Sequence, residues 1–146
     1  MLFVVIELDA EAYAIDARAI VEILPLVAIR RVPHAPRGIA GAITYHGAPV
    51  PVIDLGELVV GRATPSRLAT RIILVSAADA SLFGLIAPNA TETLRFHAAD
   101  FAPSGVPNAS APFLGPVANG RHGLVQRIEL AVLLAPYLAV SLAEVM

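Results

Sequence analysis

The stretch GAITYHGAPVPVIDLGEL, residues 41–58, decides the fold, because its pattern is that of two strands joined by a tight turn. Apolar side chains recur along residues 38–45 and 48–55, and His46-Gly47 lies between the two runs. A two-residue connection that contains glycine is typical of a β-hairpin. The sequence therefore predicts a hairpin here.

Proline, glycine and aspartate predict the details of this hairpin. Pro49 and Pro51 are two residues apart, so they share one face, and neither can donate to a β-ladder. We therefore expect the second strand to lie at a sheet edge or beside a bulge. We expect Gly47 to adopt a positive φ, Gly41 to permit a bend or a close approach, and Asp54 to cap the turn that follows.

Further strands are predicted on both sides of this hairpin. Residues 2–8 and 12–15 form one pair and residues 71–77 and 81–87 form another, because these segments are rich in β-branched and apolar residues. Asn119-Gly120 is a turn signal between two more strands.

Two short helices are also predicted. Asp16 can cap a helix over residues 17–24, whose apolar residues would share one face. A C-terminal helix begins at Glu129 and bends or stops near Pro136.

The two halves of the chain resemble each other. Residues 4–24 align with residues 74–94, and residues 41–58 align with residues 115–133 with one residue inserted. Both halves contain a hairpin, an acidic residue, a glycine, a strand and an apolar-acidic-leucine triplet, in that order. Each half has some five short strands, which is enough for a small barrel but marginal for stability alone.

We therefore predict an all-β protein, mainly β with short helices, in which two similar five-stranded β-barrel lobes pack side by side around one central core. Residues 1–146 would form a single domain, with lobes at roughly 1–70 and 71–146. The sequence leaves open whether strands from one half of the chain join the lobe formed by the other half.

Composition indicates a protein that binds other proteins. Hydrophobic residues make up 57% of the chain and charged residues 15%, against about 45–50% and 25% in an average soluble domain. A chain of 146 residues cannot hide all this apolar material in one core. Contiguous apolar surface usually marks a partner site, although an alanine-rich composition of the source genome is the alternative.

The same composition argues against several classes of function. All ten basic residues are arginine, so a phosphate loop with its lysine is excluded, and no cysteine is available for disulfides or thiolate metal sites. The histidines lack metal-ligand spacing, and no serine stands in a nucleophile motif. We expect no catalytic residue, no cofactor and no metal. A net charge of −2 and eight aromatic residues make a barrel that binds single-stranded nucleic acid a distant alternative.

Hydropathy argues against insertion into a membrane. The longest uncharged run near the C-terminus, residues 130–143, is shorter than the roughly 20 residues needed to cross a bilayer and contains Pro136. The N-terminal apolar run lacks a basic region before it and ends at Glu7 and Asp9. We expect a cytoplasmic protein.

Four motifs in order carry a family resemblance. They are Ile20-Val21-Glu22-Ile23, VPHAP at 32–36, glycines and isoleucine at 41, 43 and 47, and PVIDL at 51–55. Together with the internal repeat and the region 113–130, they resemble the CheW family, the adaptor proteins of bacterial chemosensory arrays.

This resemblance implies a non-enzymatic scaffold made of two five-stranded barrels. Such proteins bridge the cytoplasmic tip of a chemoreceptor to the regulatory domain of a CheA-type histidine kinase, which has the same fold. The receptor-facing groove would lie between the lobes. The protein would then be located at the membrane-associated receptor array. The resemblance also implies a set of partner-binding positions, which are Ile20, Glu22, Ile23, Gly41, Tyr45, His46, Gly47, Val52 and Asp54.

The chain departs from the family at one turn. Where the family usually has Asn-Leu-Arg-Gly, this chain has Thr44-Tyr45-His46-Gly47. A neutral histidine offers one donor in place of the fixed fork of an arginine. The alternative to a standard coupling protein is therefore a divergent module of a non-flagellar pathway, for pilus motility or a second messenger, that does not activate a kinase.

Overall fold

The computed structural model describes residues 1–106 and 109–138, so the last part of the predicted domain, residues 139–146, lies outside the described residues. The strands are β1 (Leu2–Leu8), β2 (Glu11–Asp16), β3 (Ile20–Pro25), β4 (Ile39–Tyr45), β5 (Ala48–Asp54), β6 (Arg71–Ser76), β7 (Leu82–Ala87), β8 (Ala90–Arg95), β9 (Leu114–Gly120) and β10 (Gly123–Ile128). The helices are α1 (Leu55–Val59) and α2 (Leu130–Leu134), and 3-10 turns occupy Ala17–Ala19, Ala98–Asp100 and Ala135–Tyr137.

The strands form two sheets of five, which confirms the prediction of a mainly β protein with two similar lobes. Lobe 1 has the strand order β8-β1-β2-β10-β9, and lobe 2 has the order β3-β6-β7-β5-β4. Each sheet curls, and one isolated antiparallel bridge joins the chain beyond one edge strand to the opposite edge strand. The bridge in lobe 2 is Arg30–Ala42, and the bridge in lobe 1 is Ala102–Val117.

The internal repeat relates the two lobes strand by strand. Strand β1 corresponds to β6, β2 to β7, and so on up to β5 and β10. Replacing each strand of lobe 1 by its counterpart gives the strand order of lobe 2. The lobes nevertheless do not follow the repeat boundary near residue 70. Lobe 2 is built from residues 20–87 alone, whereas lobe 1 combines β1 and β2 with β8, β9 and β10.

The described residues form one large cluster of buried side chains shared by the two lobes and three smaller ones, of which the smallest contains Val32 and Ala42. The largest takes residues from both sheets, among them Ile6 and Ile15 of lobe 1 and Ile73 and Leu85 of lobe 2. Each lobe also has a smaller core of its own, around Phe3 in lobe 1 and around Ile43 in lobe 2. Strands β1 and β6 contribute to the central core and to a lobe core on opposite faces, which explains the unbroken apolar runs at residues 2–6 and 72–75.

The helix predicted over residues 17–24 is wrong. Asp16 does cap, because its side chain accepts a hydrogen bond from the Arg18 amide at 2.9 Å, but only a single 3-10 turn follows. The remainder is strand β3, which pairs with β6. Its pairing shifts register between Ile20 and Glu22, so its alternation is broken and its apolar spacing imitates that of a helix.

The predicted strand pairs are otherwise confirmed, with two differences. Strand β5 lies between β7 and β4, so of the two predicted placements the sheet edge is wrong and the bulge is confirmed, because the register of β4 against β5 shifts between Ile39 and Gly41. Its prolines fit because β7 pairs only with Val52–Asp54 and leaves the first half of β5 with a single neighbour. The last turn lies at Arg121-His122 and not at Asn119-Gly120, which ends β9. The C-terminal helix is confirmed, and it tightens to a 3-10 turn at Pro136.

Gly41 has the predicted close approach. Its φ is +153°, and a Cβ there would collide with the backbone carbonyl oxygen of Arg30. Ala42 and Arg30 exchange two backbone hydrogen bonds of 2.8 Å each, which form the bridge of lobe 2. The absence of a side chain at residue 41 therefore allows the curl of this lobe to close.

Candidate partner-binding surface

The turn between β4 and β5 has a defined conformation. Tyr45 pairs with Ala48, and the two residues between them, His46 and Gly47, have φ values of +48° and +82°. Positive φ at both central residues is the type I′ geometry that suits the twist of a hairpin. A Cβ on Gly47 would meet nothing within 4 Å in this chain, so the positive φ is what calls for glycine within the fold, as predicted.

Side chains fix this turn to the opposite edge of the lobe. The Tyr45 hydroxyl donates a 2.7 Å hydrogen bond to Oε2 of Glu22 on β3. The Tyr45 and His46 rings stack with their centroids 4.1 Å apart and their planes 13° apart. Glu22 and His46 are exposed. The curl of lobe 2 thus brings three of the predicted partner-binding residues into one cluster at its rim, which we call the tip cluster.

Lobe 1 has an equivalent arrangement with different chemistry. The repeat matches Glu22 with Glu92 on β8 and His46 with Arg121 in the β9–β10 turn. Glu92 and Arg121 form an ion pair of 3.7 Å. Lobe 1 therefore keeps an arginine at its turn, whereas lobe 2 presents a histidine stacked on a tyrosine.

Strand β3 extends this surface along an edge. It pairs only with β6 among the described residues, and Val21 and Ile23 are 51% and 41% exposed. Ile20 is half-buried and packs against the central core. Glu22 pairs with Leu74 and Ile23 pairs with Ile73, so their side chains lie on opposite faces of the strand. An open strand edge with apolar neighbours can accept a partner chain.

Three predicted partner-binding residues are internal instead. Gly41 and Val52 are buried opposite each other in the β4–β5 ladder. Asp54 is 4% exposed and caps α1, where its Oδ1 accepts a 2.9 Å hydrogen bond from the Gly56 amide. Its carboxylate also accepts bonds from the amide and hydroxyl of Thr64. These residues shape the hairpin and present no side chain to a partner.

The pKa values of all three tyrosines are raised in the folded protein. The hydrogen bond to Glu22 raises the pKa of Tyr45 above its ordinary 10.0. Burial raises the pKa of Tyr13 and of Tyr137. A pKa that is raised on folding means that the protonated phenol stabilises the folded state. This contribution is present below about pH 10 and is lost as the pH rises through the folded-state pKa values.

We therefore expect tyrosine absorbance at 295 nm to titrate at higher pH in the folded protein than in urea. Glu22→Gln should lower the pKa of Tyr45, because a neutral amide accepts a weaker hydrogen bond from the phenol and carries no negative charge to oppose its ionisation. Asp79→Asn is the control, since Asp79 is bonded to Ser81 and not to a tyrosine. A folded-state titration that coincides with the titration in urea would contradict the pKa shifts.

The described part of the chain contains no cluster of three histidine, aspartate or glutamate side chains that could hold a metal ion. It also contains no helix that is long and apolar enough to span a bilayer. The tip cluster itself has one carboxylate, one phenol and one imidazole at the surface. Such an arrangement offers hydrogen bonds and a flat aromatic face to another protein.

Sequence reasoning did not find the contact between Glu22 and Tyr45. These residues lie on opposite edge strands of the sheet, so only the curl of lobe 2 brings them together. It also did not single out Val21, which the register shift leaves exposed. The acidic residue repeated in both halves was the available signal, because each copy meets the turn of its own lobe.

Comparisons with known proteins agree on the fold. The family model of the CheW-like domain matches residues 2–136. A similar solved structure is the crystal structure of the scaffolding protein TtCheW from Thermoanaerobacter tengcongensis, with a TM-score of 0.80 and 26% sequence identity. The match covers 90% of this chain and 86% of that one. No curated protein matches the sequence significantly.

Proposed function

Because the chain belongs to the CheW-like family, whose domain model matches residues 2–136, we propose that it couples receptors to a kinase in a chemosensory array. The partners would be the cytoplasmic tip of a chemoreceptor and the regulatory domain of a CheA-type histidine kinase. The protein would be located in the cytoplasm at the receptor array. The similar solved structure is described as that of a scaffolding protein, which supports a role in assembly without catalysis.

The observation that carries this proposal is the tip cluster. It joins β3 to the β4–β5 turn through the Tyr45–Glu22 hydrogen bond, at positions where the family resemblance implies partner contact. The turn has a fixed type I′ geometry, and its aromatic rings are already stacked. A surface that is ordered before binding loses less entropy when the partner arrives.

His46 favours a divergent pathway as the second candidate function. A turn with arginine would offer a fork of donors to a carboxylate, and this chain retains such an arginine only in lobe 1, at Arg121. The histidine stacked on Tyr45 suits a partner surface that is flatter and less acidic than one recognised by arginine. On this alternative, the protein binds partners in a non-flagellar pathway but does not activate a kinase.

The test is binding, measured by calorimetry, to a receptor signalling-tip fragment and separately to the regulatory domain of a CheA-type kinase. We expect Glu22→Ala to weaken about tenfold the complex that uses the tip cluster, whether with the receptor or with the kinase domain. The substitution removes a carboxylate that can bind the partner and the hydrogen bond that holds Tyr45 in place. Glu92→Ala, the equivalent change in lobe 1, should leave that affinity unchanged. Binding of the wild-type protein to neither fragment would reject the adaptor function.

Replacing His46 by arginine distinguishes the two candidate functions. For a coupling protein, His46→Arg should raise kinase activity and affinity several-fold in a reconstituted array, because a guanidinium restores two parallel donors. The control is His122→Arg in the turn of lobe 1. Unchanged activity and affinity in His46→Arg would show that the tip cluster is not the point of coupling.

A further inference from the structure

The end of lobe 2 opposite the tip cluster contains a cavity. Strands β3, β5 and β7 end there, and strands β4 and β6 begin there. The cavity has a volume of about 350 Å³ and is lined by residues at or beside these strand ends, among them Leu26, Ile39, Asp54, Thr70 and Ile86. We call it the mouth of lobe 2. Its size is that of a small-molecule site, and the mouths of β-barrels are common places for such sites.

The internal repeat shows what fills the same place in lobe 1. Phe96 follows β8 and Phe101 comes just before the bridge of lobe 1, and both rings pack against Phe3 with centroids 5.8 and 5.4 Å away. In lobe 2, Leu26 follows β3 and Ile29 comes just before the bridge. Both of these smaller side chains line the mouth. Lobe 2 therefore has a cavity where lobe 1 has a cluster of aromatic rings.

The buried polar side chains of the described residues also belong to the mouth. They are Asp54 and Thr70, at 4% and 1% exposure, and both line the cavity. Asp54 accepts a 2.6 Å bond from the Thr64 hydroxyl, and the Thr70 hydroxyl donates a 2.7 Å bond to the Pro65 carbonyl oxygen. These bonds fix the loop after α1, which forms one wall of the mouth. The cavity is therefore formed before any ligand arrives.

Arg31 and Glu57 give the lining charges of opposite sign. Arg31 lies in the segment between β3 and β4, and Glu57 lies on α1. Within residues 1–106 and 109–138 the guanidinium of Arg31 has no hydrogen bond or ion pair, so the two charges do not neutralise each other. Glu57 accepts a 3.2 Å bond from the Gly38 amide through Oε1, which leaves Oε2 available. Each charge can therefore bind a group of a ligand.

We propose that the mouth of lobe 2 binds a free α-amino acid with an apolar side chain. The ligand carboxylate pairs with Arg31, because a guanidinium offers two parallel donors to a carboxylate. The ligand ammonium pairs with Glu57, and the apolar side chain packs against Leu26 and Ile29. This inference concerns a site at the other end of lobe 2 from the tip cluster, and it does not depend on the adaptor function.

The lining argues against other classes of small molecule. A phosphate or another multiply charged anion is repelled by the carboxylates of Asp54 and Glu57, since Arg31 is the single basic residue that lines the mouth. A hydrocarbon covers Arg31 and Glu57 without giving either charge a partner, which is costly. An α-amino acid satisfies both charges at once and uses the apolar part of the cavity.

Calorimetric titration of the whole chain with L-leucine tests the proposal. We expect one saturable site per chain with a Kd below about 1 mM. Two probes each lack one charged group of leucine, since 4-methylpentanoate has no ammonium and 3-methylbutylamine has no carboxylate. Each should bind about tenfold more weakly than L-leucine, because one charged contact is lost. No saturable binding of L-leucine up to about 10 mM would overturn the proposal, and so would a probe that binds as tightly as L-leucine.

Two variants assign the charged groups. Arg31→Gln should weaken L-leucine about tenfold and should not weaken 3-methylbutylamine, which has no carboxylate to lose its partner. Glu57→Gln should weaken L-leucine to a similar extent and should not weaken 4-methylpentanoate, and its amide keeps an acceptor for the Gly38 amide. The matched control is Arg30→Gln, because this neighbouring arginine does not line the mouth. Unchanged L-leucine binding in Arg31→Gln would contradict the proposed site.

NMR of isoleucine methyl groups locates the ligand independently. Ile29, Ile39 and Ile86 line the mouth, whereas Ile6 and Ile15 lie in the central core. In a protein labelled at the isoleucine δ1 methyl groups, L-leucine should shift the resonances of the first three residues and leave those of the other two in place. Shifts that spare all three lining residues would reject the mouth of lobe 2 as the binding site.

Discussion

Gly41→Ala should lower the free energy of unfolding by about 4 kcal/mol. The new Cβ collides with the carbonyl oxygen of Arg30, so the two backbone hydrogen bonds of the Arg30–Ala42 bridge are lost. Each bond contributes about 1 kcal/mol, and the strained backbone adds about 2 kcal/mol. Urea unfolding followed by circular dichroism measures the change.

Gly47→Ala is the control for this prediction. Residue 47 also has a positive φ, but a Cβ there has open space around it. The substitution should cost only about 1 kcal/mol, the conformational penalty alone. Equal losses in the two variants would show that positive φ, and not closure of the lobe, is what Gly41 provides.

The second large effect is expected for Asp54→Ala, at about 3 kcal/mol. The substitution removes the acceptor that the buried Gly56 amide shares with the partly buried amide and hydroxyl of Thr64, and it leaves the Gly56 amide only a longer 3.3 Å bond to the Thr64 hydroxyl. Loss of a helix cap costs about 1 kcal/mol, and each further donor left unsatisfied costs about as much.

Asp79→Ala supplies the comparison for Asp54. Asp79 is exposed, and its hydrogen-bond partners, which include the Ser81 amide at 2.9 Å and the Ser81 side chain, lie at the surface, so its loss should cost about 0.5 kcal/mol. Both variants can be measured by the same urea titration. A difference of less than about 1 kcal/mol between them would mean that the loop after α1 rearranges and satisfies its own donors.

Local chemistry allowed much of the fold to be predicted. Proline and glycine spacing located the β4–β5 hairpin, and the same reasoning identified Gly47, Gly41 and Asp54 as backbone-shaping residues. Repetition of the pattern indicated two lobes before any strand order was known. The hairpin and its shaping residues were predictable because those inferences rest on residues close together in the chain, and the two lobes were predictable because a repeated local pattern implies a repeated local fold.

The errors arose where pairing overrides local pattern. The register shift in β3 gave it helix-like spacing, and pairing of Gly120 with Gly123 moved the last turn beyond Asn119. Neither β8 nor the five-residue helix α1 was predicted, because one is polar and the other is too short to show a period. The Glu22–Tyr45 contact depends on the curl of a whole sheet, which no local pattern encodes.

Each lobe combines three strands of one repeat with a hairpin of the other, β1–β2 in lobe 1 and β6–β7 in lobe 2. This arrangement has a consequence for synthesis. Tyr13 of β2 lies beside Gln126 of β10, so lobe 1 cannot be completed until nearly the whole chain has left the ribosome. Lobe 2 needs nothing outside residues 20–87 and can assemble earlier. Pairings between distant residues form slowly. The β1–β2 hairpin is translated first, yet it acquires its neighbours β8 and β10 among the last, after lobe 2 can already have folded.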